Sequence, residues 1–276
     1  MSTDLLSPAQ DSDKSSVDVL DRLTPTLRPA DRVAGYHRWW DLTFLHWRFP
    51  AAEVARLLPP ELTLDTWEGD AWVGLVPFHM TGIRPWWFPA IPGVSAFAET
   101  NVRTYVHFRG REPGVWFFSL DAARSLPVRV ARWKWHLPYY RAEMSVSRKG
   151  SRLAYHSRRL WPGTTGAGSR VEIEVGDLLG AKETVRSRPA GQALPGTFEH
   201  FLAERYVLYS RTADGRLFSG RVHHQPYLLR QARVIDCDES LLAAAGFAPQ
   251  AAPEHALFCD SVQVEVFPLR QVVAVD

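Results

Sequence analysis

Residues 98–108, AETNVRTYVHF, decide the reading of the fold because their character changes at every second position. Glu99, Asn101, Arg103 and Tyr105 form one set; Thr100, Val102, Thr104 and Val106 form the other. Successive strand side chains point to opposite faces, so one face is an ordinary Thr/Val packing surface and the other is a polar row. The wet side of a sheet needs only solvation. This row is richer, with a proton carrier, a bidentate anion binder and two neutral hydrogen-bonding groups. At about 3.3 Å per residue, Glu99 and Arg103 stand roughly 13 Å apart along the strand, too far to serve only as each other's ion pair. The expectation is that both reach toward something held between them.

Working outward, LTFLHWRF (42–49) alternates as a strand, and PAAEVARLLPPEL (50–62) has the spacing of a short helix ended by Pro59-Pro60. Residues 63–85 read as two strands joined in a hairpin near Glu68-Gly69-Asp70. The Pro/Gly-rich RPWWFPAIPGV (84–94) is expected as a loop whose paired tryptophans pack over the body or cap a cavity. VWFFSLDA (115–122) is a strand, and SLPVRVARWKWHLPYY (125–140) a helix ending before Pro138. Strands are expected over 141–147, 152–160 and 171–175, then a helix passing into a strand over 197–210. Further strands follow at 216–227, 232–237 and 261–269, with a short helix at 241–247. Strands every ten residues or so with a few short helices argue for an α+β, mostly β, antiparallel domain closed toward a cone or partly closed barrel. Residues 1–34, rich in Ser, Asp, Thr and Pro, are expected as a flexible N-terminal arm, and 35–276 as a single domain.

Composition narrows the function classes. A chain of 276 residues with 46% hydrophobic content and a formal charge of +2 can bury a sizeable core and gives no bulk electrostatic reason to expect nucleic acid or an anionic membrane. The positive charge is twenty-eight arginines against four lysines, and arginine cannot serve as an amine nucleophile. Cys237 and Cys259 are expected as free thiols, and no apolar run approaches a membrane span, so the chain reads as cytoplasmic. His223-His224 are strand neighbours that face opposite ways, and the remaining histidines match no metal spacing; no metal or cofactor is expected. Asp121 falls where a strand leaves the sheet, either lining a pocket mouth or capping the next helix, with capping the stronger reading. No Gly-x-Ser-x-Gly elbow is present.

The blocks AETNVRTYV, PGVWFFSLDA and HLPYYRAEM, together with residues 59–80 and 201–226, make the chain from about Gly35 to Leu269 resemble a bacterial family of uncharacterised YqjF-like proteins, related to acetoacetate decarboxylase. The resemblance implies a β-rich cone around a small pocket and a glutamate on an inward strand, matched here by Glu99. It also implies a catalytic lysine pair after a Gly-Phe-Pro turn. At those positions this chain has His136, Leu137 and Pro138 followed by Tyr139 and Tyr140, so the lysine pair is missing. A phenol cannot condense with a ketone, and a Schiff base needs a neutral primary amine. Lys134 is expected as a solvated helix residue rather than a substitute.

These readings converge on a small-molecule enzyme acting on a carboxylate- or carbonyl-containing substrate by non-covalent acid/base chemistry: a lyase, isomerase, dehydratase or cyclase. Glu99, Arg103 and Tyr140 are the expected catalytic residues, and Asn101, Tyr105, Asp121 and Tyr139 the expected substrate contacts. The alternative is a non-catalytic protein that binds or senses a metabolite in the same cavity. A small-molecule ligand and a possible homo-oligomer are the expected partners.

Overall fold

The computed structural model describes residues 20–163, 165–181, 189–249 and 251–273. Among these, thirteen strands and four short α-helices follow one another along the chain. The strands are β1 Gly35–Phe49, β2 Thr63–Leu64, β3 Ala71–Pro85, β4 Phe97–Phe108, β5 Arg111–Ala122, β6 Tyr139–Lys149 and β7 Arg152–Trp161. The chain continues with β8 Gly168–Leu178, β9 Val207–Arg211, β10 Leu217–His223, β11 Leu229–Glu239, β12 His255–Val266 and β13 Arg270–Gln271. The helices are α1 Ala51–Ala55, α2 Ser125–Lys134, α3 Phe198–Ala203 and α4 Leu241–Ala244. All these strands belong to one sheet, in which β4 also pairs with β5 and so closes a ring running β5-β6-β7-β8-β11-β12-β1-β3-β4. The expected β-rich architecture with a few short helices is what forms. Among the described residues no helix is long and apolar enough to cross a membrane.

Two features depart from a purely antiparallel sheet. β5 runs parallel to β6 near its C-terminal end and parallel to β9 near Val115 and Trp116. The β5-α2-β6 connection explains the first: returning a chain to run in the same direction requires a crossover, here supplied by a helix. Helix α2 ends at a left-handed His136 (φ 53°), the conformation that commonly terminates helices and that turns the chain toward Tyr139. The turn at Glu68-Gly69 also forms, with positive φ at both central residues (51° and 88°) and reciprocal hydrogen bonds between Trp67 and Asp70. The strand before it does not pair with β3 as the hairpin reading expects. β2 instead joins β4, with Thr63 opposite His107.

The core divides between the two sides of the ring's first strands. Leu42, Phe44, Val76, Phe78 and Phe97 belong to one apolar cluster, and Leu45, Val73, Leu75, Val102 and Phe258 to another. Alternation along β1, β3 and β4 produces this split, since each strand feeds both clusters. Residues 20–34, which composition assigns to the arm, lie along the body: Pro25 is buried, Arg22 is paired with Asp65, and Arg28 with Glu265. The expected arm over residues 1–19 lies outside the described residues.

The paired tryptophans do not cover the body. Trp86 and Trp87 are 45% and 66% exposed, and Arg32 sits over the Trp86 ring. A loop carrying Pro89, Pro92 and Gly93 lacks the regular backbone pairing needed to hold those rings against the sheet.

Candidate active site

β4 lies between β3 and β5, with Glu99 opposite Phe78 on one side and Ala122 on the other. The polar row therefore sits in the middle of the sheet rather than on a wet edge, and Glu99, Asn101, Arg103 and Tyr105 are all buried. The first three line a cavity of about 380 Å³ inside the ring. Most of its wall comes from the first half of the chain and is apolar, including Phe44, Phe78, Phe97 and Phe117. The cavity reaches solvent beside Val94, Leu126 and Val130, which line it and are themselves exposed.

Register decides which tyrosine joins Glu99. Asn101 is opposite Leu120, and Leu120 is opposite Tyr139, so these three side chains share the cavity face. From that rung the Tyr139 hydroxyl donates to Glu99 Oε2 at 2.8 Å. The next rung, Thr100-Asp121-Tyr140, points to the opposite face. There Arg159 donates from Nη2 to Asp121 Oδ1 at 2.7 Å and from Nε to both carboxylate oxygens, while its guanidinium lies 3.6 Å from the centre of the Tyr140 ring. Asp121 is fully buried in this pair and makes no cap on α2, whose N-cap residue is Arg124. Tyr140 and Asp121 thus stand behind the cavity wall, in place of the expected catalytic and substrate contacts. A one-residue offset along a strand is enough to exchange the two faces.

Tyr105 is likewise diverted. Its hydroxyl donates its single proton to the Leu202 carbonyl at 2.8 Å and accepts from His46 Nε2 at 2.8 Å. Burial holds the His46 imidazole well below its ordinary pKa, with His255 and Arg103 acting in the same direction, so the ring is neutral and carries its proton on Nε2. Gly74 makes room for that ring: a Cβ there would stand 3.2 Å from His46 Cδ2. Tyr105 therefore braces the floor of the site and has no proton left for a ligand.

The electrostatics of the cavity are set by one acid, Glu99, and the Arg103 guanidinium. Burial pushes the Glu99 carboxyl up from 4.5 to about 7, against the opposing hydrogen bonds from Tyr139 and the Asn101 amide. Arg103 donates to the Leu202 carbonyl at 3.2 Å, but among the described residues it has no carboxylate partner and its buried Nε has no acceptor. Arg205, which the sequence reading overlooked, enters the same cavity from the junction of α3 and β9. It is buried, pairs with Asp65 at 2.7 Å and donates from Nε to the Phe201 carbonyl at 2.7 Å. Its guanidinium lies over the Tyr105 and Phe201 rings, which are outside the cavity lining, while its Nη2 has no acceptor. The signal for it was a charged Glu204-Arg205 pair interrupting the apolar run from Phe198 to Tyr209. Asn101 Oδ1 is a buried acceptor without a donor. Unmet donors and acceptors cost free energy in a closed interior, and here they belong to four residues that line one cavity: Asn101, Arg103, Arg205 and Trp39, whose buried Nε1 has no acceptor.

Neither lysine in the described part of the chain, Lys134 or Lys149, lines this cavity, and both are exposed. His223 lies 3.7 Å from Glu265, and His224 stacks on the Tyr206 ring and lies tilted against Tyr227. Among the described residues no group of three or more His, Cys, Asp or Glu side chains is placed to hold a metal ion. Both cysteines are free thiols, which burial pushes up to about 12.

The closed ring of strands is an acetoacetate decarboxylase-like fold. Solved structures agree: an acetoacetate decarboxylase-like enzyme from Sphingomonas wittichii RW1 superposes with a TM-score of 0.58 at 14% identity, covering 90% of this chain and 98% of that one. The enduracididine biosynthesis enzyme MppR, complexed with pyruvate, gives 0.53 at 13% identity over 88% and 91% of the two chains. In sequence, the chain is 34% identical over 233 residues to the uncharacterized protein YqjF of Bacillus subtilis (strain 168), covering 84% of this chain and 90% of that protein. The model of the uncharacterized conserved protein family DUF2071 matches residues 36–263. The chain belongs to that family.

Proposed function

We propose that the protein is a cytoplasmic small-molecule enzyme that moves a proton on a carbonyl-containing carboxylate without forming a covalent imine. One observation carries the reading: an acid held near pKa 7 shares a buried cavity with Arg103, whose Nε has no acceptor and which has no carboxylate partner among the described residues. A general acid/base works best when its pKa lies near the operating pH. The substrate carboxylate accepts from Arg103 Nε, a charged donor that fixes its position. Glu99, as the carboxylate, removes a proton from carbon next to the substrate carbonyl; the C–H bond breaks, an O–H bond forms on Glu99, and the electron pair becomes an enolate. The Tyr139 hydroxyl stabilises the ionised Glu99 before transfer, and the Asn101 side chain orients the substrate. Returning the proton at another atom, or expelling a leaving group from the enolate, gives isomerase, lyase, dehydratase or cyclase outcomes from the same first step.

Hydrogen exchange tests this directly. Wild-type protein in D₂O should exchange the C3 hydrogens of a bound 2-oxo acid, followed by proton NMR, and Glu99→Gln should retain binding while losing exchange. Absence of exchange in every 2-oxo acid that binds the wild type would leave a metabolite-binding protein in place of the enzyme. Borohydride treatment with the same ligands should give no lysine adduct, and a stoichiometric adduct would restore imine chemistry.

A further inference from the structure

The cavity is far larger and more apolar than a four-carbon keto acid requires. A dry protein cavity of about 150 Å³ accepts benzene, so the 380 Å³ here corresponds to about 15 non-hydrogen atoms. Its charged groups are Glu99, Arg103 and Arg205, while His37 and Ser95 add uncharged polar groups to an otherwise mostly apolar wall. Arg103 is four positions deeper along β4 than Glu99, and Phe97 is two positions nearer the opening. With Arg103 holding the acid end, the volume beyond Glu99 is bounded by Phe97, Phe78, Met80 and Trp135 and continues to the exposed Leu126 and Val130. No charged side chain other than Glu99, Arg103 and Arg205 lines the cavity among the described residues; His37, which also lines it, is kept uncharged by burial, which pushes its imidazole down to about 4.

We propose that the ligand is an amphipathic 2-oxo or related carbonyl monocarboxylate with a medium-chain or aryl body of about 15 non-hydrogen atoms in all, its acid group deep and its apolar body toward the opening. This rests on the functional reading above for the acid end, and extends it to the substrate class. The physical expectation is a graded one. Each methylene transferred from water into the apolar wall adds about 0.8 kcal/mol, which is about a fourfold gain in affinity.

The experiment is calorimetric titration of the full-length wild type with the straight-chain 2-oxo acids from pyruvate to 2-oxohexadecanoate, below their micelle-forming concentrations, with phenylpyruvate as an aryl member. Affinity should rise about fourfold per methylene and level off near a total of about 15 non-hydrogen atoms, where the chain emerges at the rim. Arg103→Met should weaken every member by a common factor without changing the increment per methylene, and n-alkanols of matching length should bind more weakly than the acids. Affinity that is flat or falls beyond four carbons would overturn the size inference. The exchange assay separates the two failures. If the series binds with the methylene increment but no member exchanges hydrogen, the enzymatic reading fails and the ligand class stands. If pyruvate exchanges while longer acids neither bind nor exchange, the ligand class fails and the enzymatic reading stands.

Discussion

Glu99→Gln tests the electrostatics of the site without requiring a substrate. In the native protein the Glu99 carboxyl holds its proton up to about pH 7, whereas an unfolded chain releases it near 4.5. Between these values the native state binds more protons than the unfolded state, so stability falls as pH rises. The destabilisation is absent below pH 4.5 and complete above pH 7. At about 1.4 kcal/mol per pH unit, the interval from 4.5 to about 7 amounts to about 3 kcal/mol at mildly alkaline pH. The amide that Glu99→Gln introduces stays neutral at every pH and its carbonyl still accepts from Tyr139, so the variant should be the more stable protein above neutrality. Glu204 is also pushed up to about 7 by burial, but its contribution is common to both proteins and cancels in the difference. Urea denaturation at pH 5 and pH 8 should give nearly equal stabilities at the lower pH and an advantage of about 3 kcal/mol for Glu99→Gln at the higher. At about 2 °C per kcal/mol for a chain of this size, the melting point should rise by about 6 °C at pH 8. A pH-independent difference, or a variant less stable than wild type at pH 8, would refute the placement of Glu99 as a desolvated, titrating acid.

Three further variants separate the faces of the sheet. Tyr139→Phe removes a hydrogen bond that favours ionised Glu99, so the basic limb of wild-type stability and the acid limb of any exchange reaction should both move to higher pH, while Tyr140→Phe should leave both unchanged. Arg159→Met leaves the carboxylate of Asp121 buried without its partner and should cost about 3–5 kcal/mol in chemical denaturation; adding Asp121→Asn should recover much of that loss. Arg103→Met removes a charge-assisted ligand contact worth about 1.5–3 kcal/mol, so calorimetry should show 2-oxo acid affinity falling by about 10- to 150-fold. Circular dichroism should show its fold retained, because among the described residues Arg103 has no carboxylate partner to abandon.

The period-two pattern of residues 98–108 was sufficient to put Glu99, Asn101 and Arg103 on one face, because side-chain alternation is a local property of an extended backbone. The same locality made α2 and α3 legible, and the ordered sequence blocks identified the family. What the pattern could not supply was anything set by pairing between distant strands. Whether Tyr139 or Tyr140 meets Glu99 depends on the parallel register of β6 against β5, and a shift of one residue exchanges them. Asp121 finds Arg159 across 38 residues of sequence, and that buried pair, not a helix cap, determines its role. Tyr105 looked like a ligand contact because its direction along the strand was right; only the packed neighbours His46 and Leu202 reveal that its proton is already committed. Arg205 reaches the cavity from a segment 102 positions beyond Arg103, through closure of the ring. Sequence therefore determined which residues could face a common interior, since that follows from backbone geometry over a few residues. Tertiary structure decided which of them remain unpartnered there, since hydrogen-bond saturation and burial depend on everything packed around each group.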